Sequence, residues 1–204
     1  MHRGIVDGGV LTDTMLDDPR PGVLLAAGVL FVAFGRLWGQ PDATHAWVDI
    51  NGASATAAAT RALIEAGLAP VGWLGWPDGS GLGADRRSGW WDAVGAEGVH
   101  LEEAAEEGIA EGRDAMAALL ERGARSVVCA SDSLASGAAL ALQDRGEDLG
   151  TGVARVVGFD NTPPVRFLRF TSVEQPIDEA AHHCVALLLA EVGGHRRRGR
   201  HRSS

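Results

Sequence analysis

Short apolar runs and longer amphipathic segments alternate along most of the chain. The runs Gly8–Thr12, Val29–Gly35, Ala46–Ile50, Pro70–Trp76, "SVVCA" at 126–130 and "ARVVGF" at 154–159 are too short for helices and read as buried strands. Between them, apolar positions recur at helical spacing: a short helix after Pro21, then segments from Asn51 or Ser54 to Ala66, Asp85 to Val94, Glu111 to Arg122, Ser133 to Arg145, and Pro176 to about Val192. Gly28, Gly67 and Gly123 stand just past three of these segments, where glycine commonly closes a helix. "VHLEEAAEEG" at 99–108 is acidic and shows neither period. "NTPPVRFLRF" at 161–170 reads as a loop, because Pro163 and Pro164 interrupt regular structure, and "FTSVEQ" reads as a brief strand.

This alternation predicts an α/β layered fold with parallel sheets. Ser126–Asp160 is its plainest unit, a strand, a helix and a second strand, which connect in the right-handed βαβ manner. Ser131-Asp132-Ser133 joins the first strand to its helix. Ligands of open α/β sheets bind outside the carboxyl ends of strands, so Asp132 fits both a helix cap and a ligand contact.

At 204 residues the chain can build one good core or two small lobes. Its net charge of −9 argues against a general nucleic-acid binder, which needs clustered Lys and Arg. Cys129 and Cys184 make no disulfide framework and read as small buried hydrophobes. No apolar run approaches membrane-spanning length and the first residues do not resemble a signal peptide, so a cytoplasmic location away from membranes is expected.

Seven stretches, taken in order, resemble the effector-binding region of the LacI/GalR family of bacterial transcription regulators: "VDGGVLTD", "FVAFGR", "WVDINGASATAAATRALIEAG", "DRRSGWWDAV", "VVCASDSLASGAALALQDRG", "VVGFDNTP" and "FTSVEQPIDEAA". The resemblance implies a periplasmic-binding-protein-like fold, with two Rossmann-like lobes, parallel sheets and a ligand cleft between the lobes. It implies a sugar or other small effector, no cofactor, no metal, no catalysis and a possible homodimer. Arg86 takes the place of the family's ligand-contacting arginine, and Asp132 that of its second polar contact. Glu107 falls near the place of a stacking aromatic, so Trp76 and Trp38, both in expected loops, are the candidates for that face.

The family's helix-turn-helix and the opening elements of its first lobe have no counterpart in the sequence. The resemblance therefore implies an N-terminally truncated regulator whose DNA contacts lie in a domain absent from this chain. Its expected parts are an incomplete first lobe (1–50 and 161–173), a second lobe (51–160 and 174–192) and a basic, disordered tail (193–204). A freestanding solute-binding protein for sugar transport is the alternative.

Plainer readings stand beside these. Arg86 can be a solvated arginine next to Arg87. Gly79–Ala84 matches G-x-G-x-x-[GA], which would suit a nucleotide-dependent enzyme, or is a flexible loop. Asp160 reads as a turn residue at a crossover between lobes, while Asp49 sits at another such crossover with its role open. His182 and His183 are adjacent and face apart on a helix, which does not suit one metal ion.

Overall fold

The computed structural model describes residues 6–40, 44–147 and 155–201, with side chains as far as Gly194. Residues 41–43 of the expected loop, Ala154 and the last three residues of the tail lie outside the described residues. The chain divides into two compact units, Met1–Ile50 with Pro176–Ser204, and Asn51–Gln175.

In the first unit, β1 (Gly9–Leu11), β2 (Phe31–Phe34) and β3 (Trp47–Val48) form a parallel sheet in that order. Helix α1 (Arg20–Ala26) links β1 to β2. It starts where Asp18 accepts the Arg20 backbone N–H at 2.9 Å and carries Pro21 in its first turn, where a missing N–H does no harm. The Arg20 guanidinium holds the Asp18 carboxyl down at about 2, well below the usual carboxylate range. The last helix, α7 (Ile177–His201), packs on all three strands, with Ala180 and Cys184 buried one turn apart.

The second unit holds a five-stranded parallel sheet, in the order β5 (Glu102–Ala104), β4 (Val71–Gly75), β6 (Ser126–Cys129), β7 (Val156–Phe159) and β8 (Thr171–Val173). The helices are α2 (Gly52–Glu65), α3 (Gly81–Val94), α4 (Ile109–Glu121), α5 (Asp132–Asp144) and the short α6 (Pro164–Leu168). Right-handed crossovers put α3 on one face and α4 and α5 on the other; α2 packs against α3, and α4 against α5. The central strands are buried on both faces, which is why they read as continuous apolar runs.

Four expectations need correction. Residues 161–173 do not belong to the first lobe, because β8 pairs with β7 in the five-stranded sheet. Residues 176–192 do not belong to the second, because α7 covers the three-stranded sheet. Pro163 and Pro164 start a helix instead of forbidding one: Pro163 is the N-cap and Pro164 the first helical residue, and Arg169 ends the turn in the left-handed region at φ 57°. The tail is not wholly irregular, since helical backbone continues through Gly193 to His201.

Two elements also differ from their expected extents. Helix α3 begins four residues early, at Gly81, because the Ser80 hydroxyl accepts the Gly83 N–H at 3.0 Å. Acidic "EEA" forms edge strand β5, where Arg87 pairs with Glu102 at 2.5 Å and Arg122 with Glu103 at 2.6 Å.

The crossing of α2 and α3 is closer than side chains allow. A Cβ on Gly89 would lie 1.9 Å from the Ala53 carbonyl oxygen, and the Asp85 carboxylate accepts the Ala53 N–H at 2.9 Å. Gly89→Ala is therefore expected to lower unfolding stability by about 2–3 kcal/mol in denaturant titrations, since the obstacle is backbone that must move. A loss below about 0.5 kcal/mol would show that the helices are not held at this spacing.

Candidate functional site

In the five-stranded sheet the chain leaves β4 toward β5 and then returns across it to β6. The carboxyl ends of β4 and β6 therefore flank a topological switch point, the place where parallel sheets open a crevice. Trp76 follows β4, and Ala130, Ser131 and Asp132 follow β6. Asp160 follows β7, and Gln175 lies two residues beyond β8.

Arg86 enters this place from the second turn of α3. It lies three residues before Gly89 and four before Trp90, so the helix face that packs against α2 and the core carries Arg86 inward and leaves Arg87 outside. Arg86 is 2% exposed, whereas Arg87 is exposed. Gly52 permits the approach: a Cβ there would stand 3.0 Å from the Arg86 Cγ.

The guanidinium donates to the Ala130 carbonyl at 2.5 Å and lies 3.7 Å from the Asp160 carboxylate. Its Cζ sits 3.6 Å from the Phe159 ring centre and 5.5 Å from that of Trp76. Among the described residues its Nε has no hydrogen-bond partner, although it is buried. Burial pulls the Arg86 pKa down, and the carboxylates of Asp160, Asp85, Glu107 and Asp132 oppose that pull.

Asp132 is not the helix cap. Ser131 is, its hydroxyl accepting the Leu134 N–H at 3.3 Å, and Asp132 is the first helical residue. Its negative charge suits that terminus. Asp132 is 2% exposed and ties three segments together. Oδ2 accepts from the Thr162 N–H at 2.6 Å and the Thr162 hydroxyl at 2.8 Å, and Oδ1 from the Ser172 hydroxyl at 2.6 Å. Gly158 is required here, since a Cβ would fall 2.2 Å from Asp132 Oδ1.

Two further acids reach the same place. Glu107 Oε2 accepts from the Trp76 indole N–H at 2.5 Å and from the Ser131 hydroxyl at 2.8 Å. Asp160 has φ 105° and Asn161 φ 50°, left-handed conformations at consecutive non-glycine residues. Asp160 accepts from the Gln175 amide, and its backbone N–H donates to the Val173 carbonyl at 2.9 Å. It stands inside the five-stranded sheet's unit and not at a crossover between units, because β8 follows in the same sheet.

The structure thus groups Arg86, Asp132 and Trp76 in one unit and adds Glu107, Ser131, Asp160, Thr162 and Ser172. Glu107 was visible in the sequence as an acid near an expected aromatic; Thr162 and Ser172 carried no such signal. Trp38 belongs to the other unit. There the Arg36 guanidinium lies 4.6 Å from its ring centre and pairs with Asp49 at 2.5 Å. The Gly79–Ala84 motif is not a flexible loop: Gly81 to Ala84 are helical, and the Gly83 N–H is taken by Ser80. Among the described residues no group of three His, Cys, Asp or Glu side chains is placed to hold a metal ion, and no helix is long and apolar enough to cross a membrane.

The two parallel sheets and their covering helices define an α/β protein. Residues 60–203 match the periplasmic binding protein-like domain. A LacI-family regulatory protein from Chloroflexus aggregans is 38% identical with a TM-score of 0.83, over 93% of this chain and 70% of that one. The chain belongs to the LacI family of transcription regulators. The regulator CelR from Thermobifida fusca is 31% identical over 93% of this chain and 58% of its own length. GalR from Escherichia coli K12 is 32% identical over 83% and 49%. A structure of a CelR–cellobiose complex aligns with a TM-score of 0.83 at 31% identity, over 94% of this chain and 61% of that one. The chain thus spans about half the length of these curated relatives.

Two outcomes follow from the clip at Asp132 and the burial of Asp160. Asp132→Ala leaves three donors without their carboxylate and is expected to cost about 3 kcal/mol in denaturant unfolding, with Asp132→Asn costing less. Burial raises the Asp160 pKa, and the Arg86 charge only partly offsets this. The folded chain then holds the Asp160 proton more tightly than the unfolded chain, so this group's contribution to stability falls as pH rises from the ordinary aspartate range through its raised value. Asp160→Asn is expected to flatten the stability profile across that window.

Proposed function

We propose that this chain is the effector-sensing domain of a LacI-type transcription regulator, and that its effector is a sugar or a similar small polyhydroxy compound. The buried Arg86 guanidinium at the switch point carries this reading, with an Nε unpartnered among the described residues and Trp76 at its side. Guanidinium N–H groups donate to hydroxyl oxygens, carboxylates accept from adjacent hydroxyls, and an indole packs on the C–H face of a sugar ring. Asp132 keeps acceptor capacity, since a carboxylate offers about four lone-pair sites and three bonds are made here. The CelR–cellobiose complex supports a sugar for this chain as well. We assign Arg86, Asp132 and Trp76 to the effector.

The signal is a population shift, in which the effector stabilises one conformation over another by its difference in affinity for the two. DNA reading belongs to a helix-turn-helix, the feature the relatives are named for. The protein works in the cytoplasm as a homodimer and carries out no chemistry on its ligand. The arrangement of the first turn of α3 speaks against a nucleotide-dependent enzyme, because Gly83 of the motif serves the Ser80 cap and the Trp76 contact.

Isothermal titration of the chain with a panel of neutral mono- and disaccharides, cellobiose included, tests this. At least one is expected to bind saturably, with affinity reduced about tenfold or more by Arg86→Lys and by Trp76→Ala. Wild-type affinity in Arg86→Lys, Trp76→Ala and Asp132→Asn alike would remove the site assignment.

A further inference from the structure

Glu107 stands on an exposed loop between β5 and α4, yet both of its carboxylate oxygens are engaged. Oε2 takes the Trp76 indole N–H at 2.5 Å, and the Ser131 hydroxyl lies 2.8 Å from Oε2 and 3.0 Å from Oε1. A solvated surface glutamate has no need of such partners. The Trp76 ring is held on its other sides as well: a Cβ on Gly83 would lie 3.1 Å from its Cε3, and the Arg86 Cζ is 5.5 Å from its centre. Glu107 therefore fixes the edge, and with it the plane, of a ring that would otherwise rotate about its side-chain torsions.

Charge is the second observation. The carboxylates acting on the Arg86 guanidinium are those of Asp160, Asp85, Glu107 and Asp132. Among the described residues these acidic groups outnumber the one guanidinium they surround. Arg87 does not redress this, because it turns outward to Glu102 at 2.5 Å.

We infer that Glu107 is a positioning and selectivity residue: it bridges Trp76 to Ser131 to fix the indole beside Arg86. Together with Asp85, Asp132 and Asp160, it also confines the site to uncharged or cationic polyhydroxy ligands and excludes uronates and sugar phosphates. This rests on the sensor reading above and narrows its ligand class. A carboxylate or phosphate on the ligand would meet like charge on several sides, and among the described residues its countercharge is Arg86, which already faces Asp160 at 3.7 Å. A hydroxyl meets no such barrier, because it donates to the same carboxylates.

The test titrates the 204-residue chain with glucose, glucuronate and glucose 6-phosphate, with galactose and galacturonate, and with cellobiose. In each matched set the neutral sugar is expected to bind at least about tenfold more tightly than its anionic counterpart. Glu107→Gln is expected to narrow that ratio at least about threefold, while Glu121→Gln, the same charge change at the far end of α4, leaves it in place. Near-ultraviolet circular dichroism reads the positioning role: Glu107→Ala should lose the band that is also missing from Trp76→Phe. An anionic sugar binding more tightly than its neutral partner, or a ratio unmoved by Glu107→Gln, overturns the selectivity while leaving the sensor reading intact. An unchanged spectrum in Glu107→Ala overturns the positioning role. Failure of every sugar, neutral and anionic, overturns the sensor reading and the ligand class together.

Discussion

The structure of the second unit depends on keeping the Arg86 guanidinium out of water. A lone cation so buried would be costly, and it is tolerated because aromatic faces and carboxylates surround it. Each of those groups is fixed by a separate part of the chain. Phe159 and Asp160 come from β7 and the turn after it, Trp76 from the end of β4, Glu107 from the loop before α4, and the Ala130 carbonyl from the end of β6. Helix α3 delivers the arginine only because Gly89 and Gly52 let α2 lie close. The switch point is thus where the sheet's topology, the helix crossing and the charge distribution meet.

Asp132 has a related task nearby. It gathers the turn after β7 and the strand β8 by accepting from Thr162 and Ser172. That contact holds Asp160 and Asn161 in their left-handed conformations, with the Asn161 N–H bonded to Ser172 at 2.9 Å. A residue that both fixes the wall of a site and keeps acceptor capacity can couple a ligand to the order of that wall.

Much of this was legible in the sequence. Continuous apolar runs marked β4, β6 and β7 because both faces of those strands are covered, and glycines marked helix ends. The family resemblance placed Arg86 and Asp132 at one site, and the helical phase set by Gly89 and Trp90 would have told Arg86 from Arg87. The unit assignment after Asp160 was not legible. β8 is three residues of mixed polarity, and nothing local says which sheet it joins. The Pro163-Pro164 pair carried an ambiguous signal, since proline stops a helix from within but starts one at its first turn. The capping role fell to Ser131 in place of Asp132 because the choice turns on a shift of one residue in the helix start, which pattern alone does not fix.

On the sensor reading proposed above, the buried guanidinium of Arg86 is held for a polyhydroxy ligand. Nuclear magnetic resonance of the guanidinium N–H groups, assigned through Arg86→Lys, reads it directly. Addition of a neutral sugar to saturation should shift the Arg86 resonances and slow their exchange with solvent, while those of Arg87 stay in place. Arg86 resonances that do not move while the sugar is bound would contradict the account.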